Sequence, residues 1–437
     1  MTRSKIAAAI LGALAFSGSA LAQPVEVTPL AAPDIFSEAG RDTGLPADLW
    51  RGASAETVRA VLPMLVDKPL SPAAAALARR VLATGAHGPD GVGQDAALAG
   101  ARAGALIALG DVKAGSAILS RAAGLERDPN LSQAAAEAAL LADDDARACA
   151  IGQALTVGRD EAYWLRLRAF CQAEAGSTDA AQLTYDLAQA QERDAVFGRL
   201  MAAKLAGGGS PGPASLRNGL DYALSRSLSL DMTGVDASRA VAAARSAAAP
   251  GAATWVVEGG PGDVRAALAA LAAGDLAHAQ QIRAGLTHDQ IPGAGALDLA
   301  LLDAAIAAAS GKADGPTLDK LVELGAAADP KLRARAQTAA LMLAALGAPL
   351  SPRVRGEFAK FTAGEVKAPA ARTFALDLAA EQKLMGETAM LALWIAADSG
   401  AGGPAAGDRA RIIRALRTVG LEADARAFAV EGLLALR

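Results

Sequence analysis

Cys149 and Cys171 are the only cysteines in the 437-residue chain, and an even count points to a disulfide wherever a chain enters an oxidising compartment. Redox chemistry is not expected of them, because there is no Cys-x-x-Cys motif and no histidine close in sequence to activate a thiol. The pair falls on two segments with helical patterning, Asp145 to Thr156 and Asp160 to Ala175. Counting back from a turn near Gly158, the two heights differ by about one helical turn at a rise of about 1.5 Å per residue. Trp164, Leu167 and Cys171 follow i, i+3, i+7 spacing, which sets that cysteine on an inward stripe, and Gly152 would let the two helices approach. Closing the loop would stabilise the fold by roughly 3 kcal/mol in the chain-entropy picture.

The remaining chemistry is sparse. His87 lies in a Gly-Pro-rich stretch, and His278 and His288 are too far apart for the one-turn spacing of a metal-binding helix. No metal or cofactor site is therefore expected. Gly208-Gly209-Ser210-Pro211-Gly212 fits G-x-S-x-G in letters, but a nucleophile elbow needs a strand before the serine, and Met201 to Ala206 reads helical. No catalytic residue is assigned. Asp143-Asp144-Asp145 suits the start of a helix, where carboxylates cap free N–H groups and complement the dipole. Tyr163-Trp164-Leu165-Arg166-Leu167-Arg168 is the richest local cluster. Trp164 reads as a core anchor, while Tyr163, Trp164, Arg166 and Arg168 together are the candidates for a partner-binding surface, since aromatics and arginine dominate binding hot spots.

These residues must be positioned by helices. The chain is 52% hydrophobic but only 3% aromatic, a balance that favours many slim helices over one thick core. A net charge of −4 with interspersed signs gives no basic footprint for nucleic acid. Arg3 and Lys5, the apolar run Ile6 to Phe16 and Ala20-Leu21-Ala22 form the three parts of a secretory signal peptide, residues 1–22, cleaved after Ala22. The apolar run is too short to span a bilayer, and no span is expected in the mature chain. A proline-broken extended segment, residues 23–53, would follow.

From residue 54 onward, helix punctuation recurs. Ser71-Pro72, Asp128-Pro129, Asp329-Pro330 and Ser351-Pro352 read as an N-cap followed by proline at the first helical position. Gly85, Gly110, Gly124, Gly176, Gly274, Gly311, Gly325, Gly347 and Gly420 read as stops. The intervals imply about twenty helices of roughly 10 to 17 residues, with short connections that force antiparallel packing. The run Gly207 to Pro213 divides an array at 54–206 from a second at 214–437, and Leu421 to Leu436 is expected to close the second array with a polar outer face.

Weak self-similarity accompanies this pattern. Gly176 is followed by Ala181, Tyr185 and Ala188 at +5, +9 and +12, and Gly110 by Gly115, Leu119 and Ala122. Gly420 gives Ala425 and Phe428, and Gly274 gives Ala279 and Ile282, each with the large residue one place early. These segments resemble degenerate tetratricopeptide-like hairpins, and the whole chain is similar to exported, Ala-rich bacterial helical-repeat proteins. The resemblance implies an all-α solenoid of antiparallel hairpins and carries no function with it. The expectation is a non-enzymatic periplasmic protein that binds an envelope or periplasmic protein partner, with no nucleic-acid partner. The alternative is a cell-wall (peptidoglycan) remodelling enzyme or accessory module, although no Glu-Ser catalytic segment is recognisable.

Overall fold

The computed structural model describes residues 36–37, 39–92, 95–122, 124–245, 262–286, 295–362 and 365–436. The expected signal peptide at 1–22 and His288 lie outside them. Among the described residues the regular structure is helical, with 21 α-helices, one 3-10 turn and two isolated bridges.

Residues 39–46, which include Pro46, run without regular structure and residues 47–52 form successive turns, against the chain that leaves the second helix. Gly40 N–H donates to Ala83 O at 2.9 Å and His87 N–H to Ala47 O at 3.1 Å. Gly85 is not a left-handed stop. It lies so close to this strap that a Cβ would meet Ser37 O at 2.7 Å. Phe36 and Trp50 are fully buried beneath it, edge to face at 5.1 Å.

The helices follow as α1 (Ala55–Asp67), α2 (Pro72–Ala83), α3 (Ala96–Ala108), α4 (Val112–Leu119), α5 (Pro129–Leu141), α6 (Asp145–Ala154), α7 (Ala162–Glu174), α8 (Thr178–Gln191) and α9 (Ala195–Leu205). The pairs α3/α4, α5/α6 and α7/α8 are hairpins, each stacked on the next. After the turn come α10 (Gly219–Ser227) and α11 (Arg239–Arg245), which pack back onto α5 and α3. Gly207, Gly208, Gly209 and Gly212 do adopt positive φ, but α10 also touches α9, so packing continues across the turn.

The later helices are α12 (Gly262–Ala272), α13 (Leu276–Ala284), α14 (Ala296–Ser310), α15 (Gly315–Ala327), α16 (Pro330–Ala345), α17 (Pro352–Phe358), α18 (Ala370–Glu381), α19 (Met385–Ser399), α20 (Ala406–Thr418) and α21 (Glu422–Leu434). Again neighbours pair, as α12/α13, α15/α16, α18/α19 and α20/α21. No described helix is long and apolar enough to cross a membrane. Alanine makes this density possible, because a methyl side chain lets helix axes approach to the short end of the usual range of about 8–10 Å. In all four tetratricopeptide-like segments the small residue, Gly115, Ala181, Ala279 or Ala425, is buried at the helix contact. Tyr185 fills the adjoining gap and donates its hydroxyl to Gly198 O at 3.3 Å.

The expectation for the last helix is corrected by its packing. Instead of closing an array with a polar face, α21 lies against α2, α14, α16 and α20. Its Asp424 and Glu431 are buried, and each carries an arginine: Arg80 for Asp424 at 2.9 Å, and Arg409 for Glu431. Glu431 also accepts the Ala73 N–H at 2.9 Å. It thereby caps α2, a task that Ser71 does not perform, whereas Asp128 and Asp329 do cap their own helices. The first two helices are thus sewn into the carboxy-terminal ones. Glu387 at the start of α19 accepts Ser54 N–H and Thr57 Oγ1 at 2.9 and 2.7 Å, and Lys68 pairs with Asp398 at 2.7 Å. Gly386 admits this contact, since a Cβ there would stand 2.7 Å from the Trp50 ring.

Candidate functional site

The disulfide forms between consecutive helices, as the spacing predicts. Cys149 on α6 and Cys171 on α7 are bonded with Cα atoms 5.7 Å apart. Gly152 is close enough to α7 that a Cβ would sit 3.3 Å from Leu167 Cδ2, so the glycine sets the interhelix distance that the sulfurs then span. Both cysteines are half-buried and belong to the wall of a groove of about 620 Å³ between α6 and α7. Trp164 and Leu167 add apolar lining.

The four residues of the expected partner-binding cluster take different positions. Trp164 is 2% exposed and anchors the α6–α7 contact, with its ring edge to face with Tyr163 at 5.0 Å. Tyr163 turns away from the groove and donates its hydroxyl to Glu137 Oε1 on α5 at 2.9 Å. The same carboxylate accepts the Gly219 N–H at the start of α10. Burial raises the pKa of Glu137, against the hydrogen bonds from Gly219 and Tyr163. Burial, followed by the neighbouring Glu137 charge, pushes the Tyr163 phenol well above its ordinary value. Arg166 is likewise engaged within the chain. It donates to Glu192 O at 2.9 Å, stands over the Phe197 ring at 5.9 Å and joins α7 to the α8–α9 turn. Of the four, Trp164 and Arg168 line the groove.

Arg168 donates from Nη2 to the backbone carbonyl of Arg159 at 3.0 Å, and Arg159 itself lines the groove. Neither forms an ion pair with a carboxylate among the described residues. Burial lowers the Arg168 pKa, and the charge of Arg159 lowers it further, the combination expected of two cations that share a partly desolvated site. The opposite end of the groove differs. Asp145 is held by Arg226 at 2.6 Å and Glu174 by Lys204 at 2.8 Å, so those carboxylates are already neutralised.

Arg226 also explains the acidic triplet. Asp144 caps α6 by accepting the Arg147 N–H at 3.1 Å, as a helix start requires, but Asp143 and Asp145 instead hold Arg226 from α10. Neither Glu137 nor Arg226 stands out in the sequence, because the partners lie about eighty residues away and no local spacing announces them. Ser210 is exposed in the turn after α9, with a helix before it where an elbow would need a strand. No group of histidine, cysteine and carboxylate side chains that could hold a metal occurs among the described residues. Compared with protein families, with curated proteins and with solved structures, the chain matches none.

Proposed function

We propose that this chain is a non-enzymatic helical-repeat protein of the bacterial cell envelope that binds a protein partner in the α6–α7 groove. The observation that carries the reading is the groove itself, which joins an apolar wall to a pair of arginines that have no carboxylate of their own. Stacked hairpins suit this work, because each adds surface while the backbone polar groups stay paired within helices. Export follows from the three-part amino-terminal signal, and an oxidising compartment agrees with a half-buried disulfide in the groove wall.

The test is capture from an envelope extract by the chain from Gln23 to Arg437, in parallel with Ala146→Trp. Ala146 is exposed and lines the groove, so an indole there fills the space without disturbing the core. One discrete protein retained by the parent and lost with Ala146→Trp is the expected result. Capture that is indifferent to the substitution removes the groove from the reading, and cleavage of purified peptidoglycan by the parent would replace the reading with an enzymatic one.

A further inference from the structure

Two features of the groove restrict what its occupant can be. The first is charge. Arg159 and Arg168 meet at one end, beside the α6–α7 connection, with Arg168 half-buried and its Nη2 on the Arg159 carbonyl. At the other end Asp145 and Glu174 are satisfied by Arg226 and Lys204. Among the charged side chains that line the groove, those without an ion-pair partner are therefore the two arginines, both at one end. A guanidinium fork matches the two oxygens of a carboxylate, and such a contact gains strength as water is excluded.

The second feature is length and lining. From Asp145 to Gln153, both in the groove wall, α6 advances about 12 Å at its rise per residue. An extended peptide covers that distance in roughly three to four residues. Exposed Ala146 and Ala175 and the half-buried disulfide offer apolar surface along it, over a floor of buried Trp164 and Leu167, which suits side chains of a peptide better than a bare inorganic anion.

We infer that the α6–α7 groove takes the end of a polypeptide, with Arg159 and Arg168 receiving its free C-terminal carboxylate and the apolar wall receiving the last few side chains. The inference rests on the reading of this groove as the partner site, and names the part of the partner that it recognises. Arg168 is a binding residue here and Arg159 its companion. Tyr163 and Arg166, engaged on the other faces of α7, hold the helix in place and do not touch the occupant. Burial first, and then the charge of Arg159, lower the Arg168 pKa, and a carboxylate placed on Arg168 would favour its charged form.

The experiment is calorimetric titration of the chain from Gln23 to Arg437 with acetyl-Ala-Ala-Leu-Leu as free acid. The same peptide as C-terminal amide, acetyl-Ala-Ala-Leu-Asp amide and inorganic phosphate serve as comparisons. The free acid should bind at least tenfold more tightly than the amide, and Arg168→Gln and Arg159→Gln should each remove most of that difference. Arg193→Gln, at an exposed arginine outside the groove, should leave it unchanged. Equal binding of acid and amide overturns the carboxylate assignment, and equal binding of the Asp amide overturns the terminal one. Phosphate binding as tight as the free acid reduces the site to an anion site and overturns the peptide. If no probe binds while Ala146→Trp still abolishes capture of an envelope protein, the inference fails and the partner groove stands. If both experiments fail, the groove reading falls with it.

Discussion

Two regions of the molecule hold their helices together by opposite means. Around α6 and α7 the chain joins near neighbours: Cys149 to Cys171, Gly152 to Leu167, Arg168 to Arg159. Where α1 and α2 meet α19 and α21, it joins residues more than three hundred positions apart, through buried or half-buried charges such as Glu431, Asp424 and Glu387. Local closure is cheap in chain entropy and can be covalent. Distant closure must order a long loop first, and here it depends on carboxylates that serve as helix caps and ion-pair partners at once. The local region is consequently free to carry a surface groove, while the distant one is occupied with holding the chain together.

The largest expected effect breaks the distant closure. Glu431→Ala leaves Arg409 buried without its carboxylate and the start of α2 without its cap. Losing one member of a buried pair costs about 3–5 kcal/mol, and the lost cap adds about 1 kcal/mol. Urea denaturation should show a correspondingly lower midpoint. Amide exchange should quicken in α2 and α21 well before α7. A decrease under 1 kcal/mol would mean that the apolar contacts of α2 and α21 suffice by themselves. Arg409→Met with Glu431→Leu, which removes both charges, should recover part of the loss.

A smaller effect tests the local region. Cys149→Ser with Cys171→Ser should cost roughly 3 kcal/mol in the chain-entropy picture, read from the same urea titration. Exchange should now quicken in α6 and α7 and leave α2 unaffected. Equal loosening of both regions would show that they unfold as one unit, and the contrast between them would then be one of construction only.

The difference in construction also decides what could be read from the sequence. Hairpins, caps and the disulfide were legible because they depend on spacing within one or two helices: Asp128-Pro129 starts α5 and Gly176, at positive φ, follows the end of α7 as expected. The position of α21 was not legible. Its Glu422, Asp424 and Glu431 look like a solvated face until the arginines that neutralise two of them are known, and Arg80 and Arg409 have no sequence relation to those partners. The groove lies between. Cys149, Cys171, Trp164 and Arg168 came from local pattern, but Tyr163 reads as a surface residue only for want of Glu137, twenty-six positions back. Ser71 fails as a cap for the same reason, since a carboxylate from the far end of the chain already fills the role.

The smallest effect distinguishes the regions by the sign of their response to acid. Burial raises the Glu137 pKa in its contact with Tyr163 and Gly219. Ionised Glu137 therefore costs the folded state stability at neutral pH. As pH falls through the folded pKa, the folded state takes up a proton before the unfolded state does, and stability rises until the ordinary carboxylate range is reached. Asp398 in the distant closure behaves in the other direction. Burial pulls its pKa upward, but the hydrogen bonds from Lys68 and Arg372 outweigh that and leave it below the ordinary value. Its contribution is complete above the unfolded pKa and is lost as pH falls through the folded one. The stability of the parent minus that of Glu137→Gln should therefore grow on acidification from neutral pH, whereas the parent minus Asp398→Asn should shrink at lower pH. Urea midpoints of the three proteins across that range decide the matter. Two differences of the same sign would mean that Glu137 is ionised at no cost in its contact with Tyr163 and Gly219, and that the hydroxyl and the backbone N–H together replace the water it gave up.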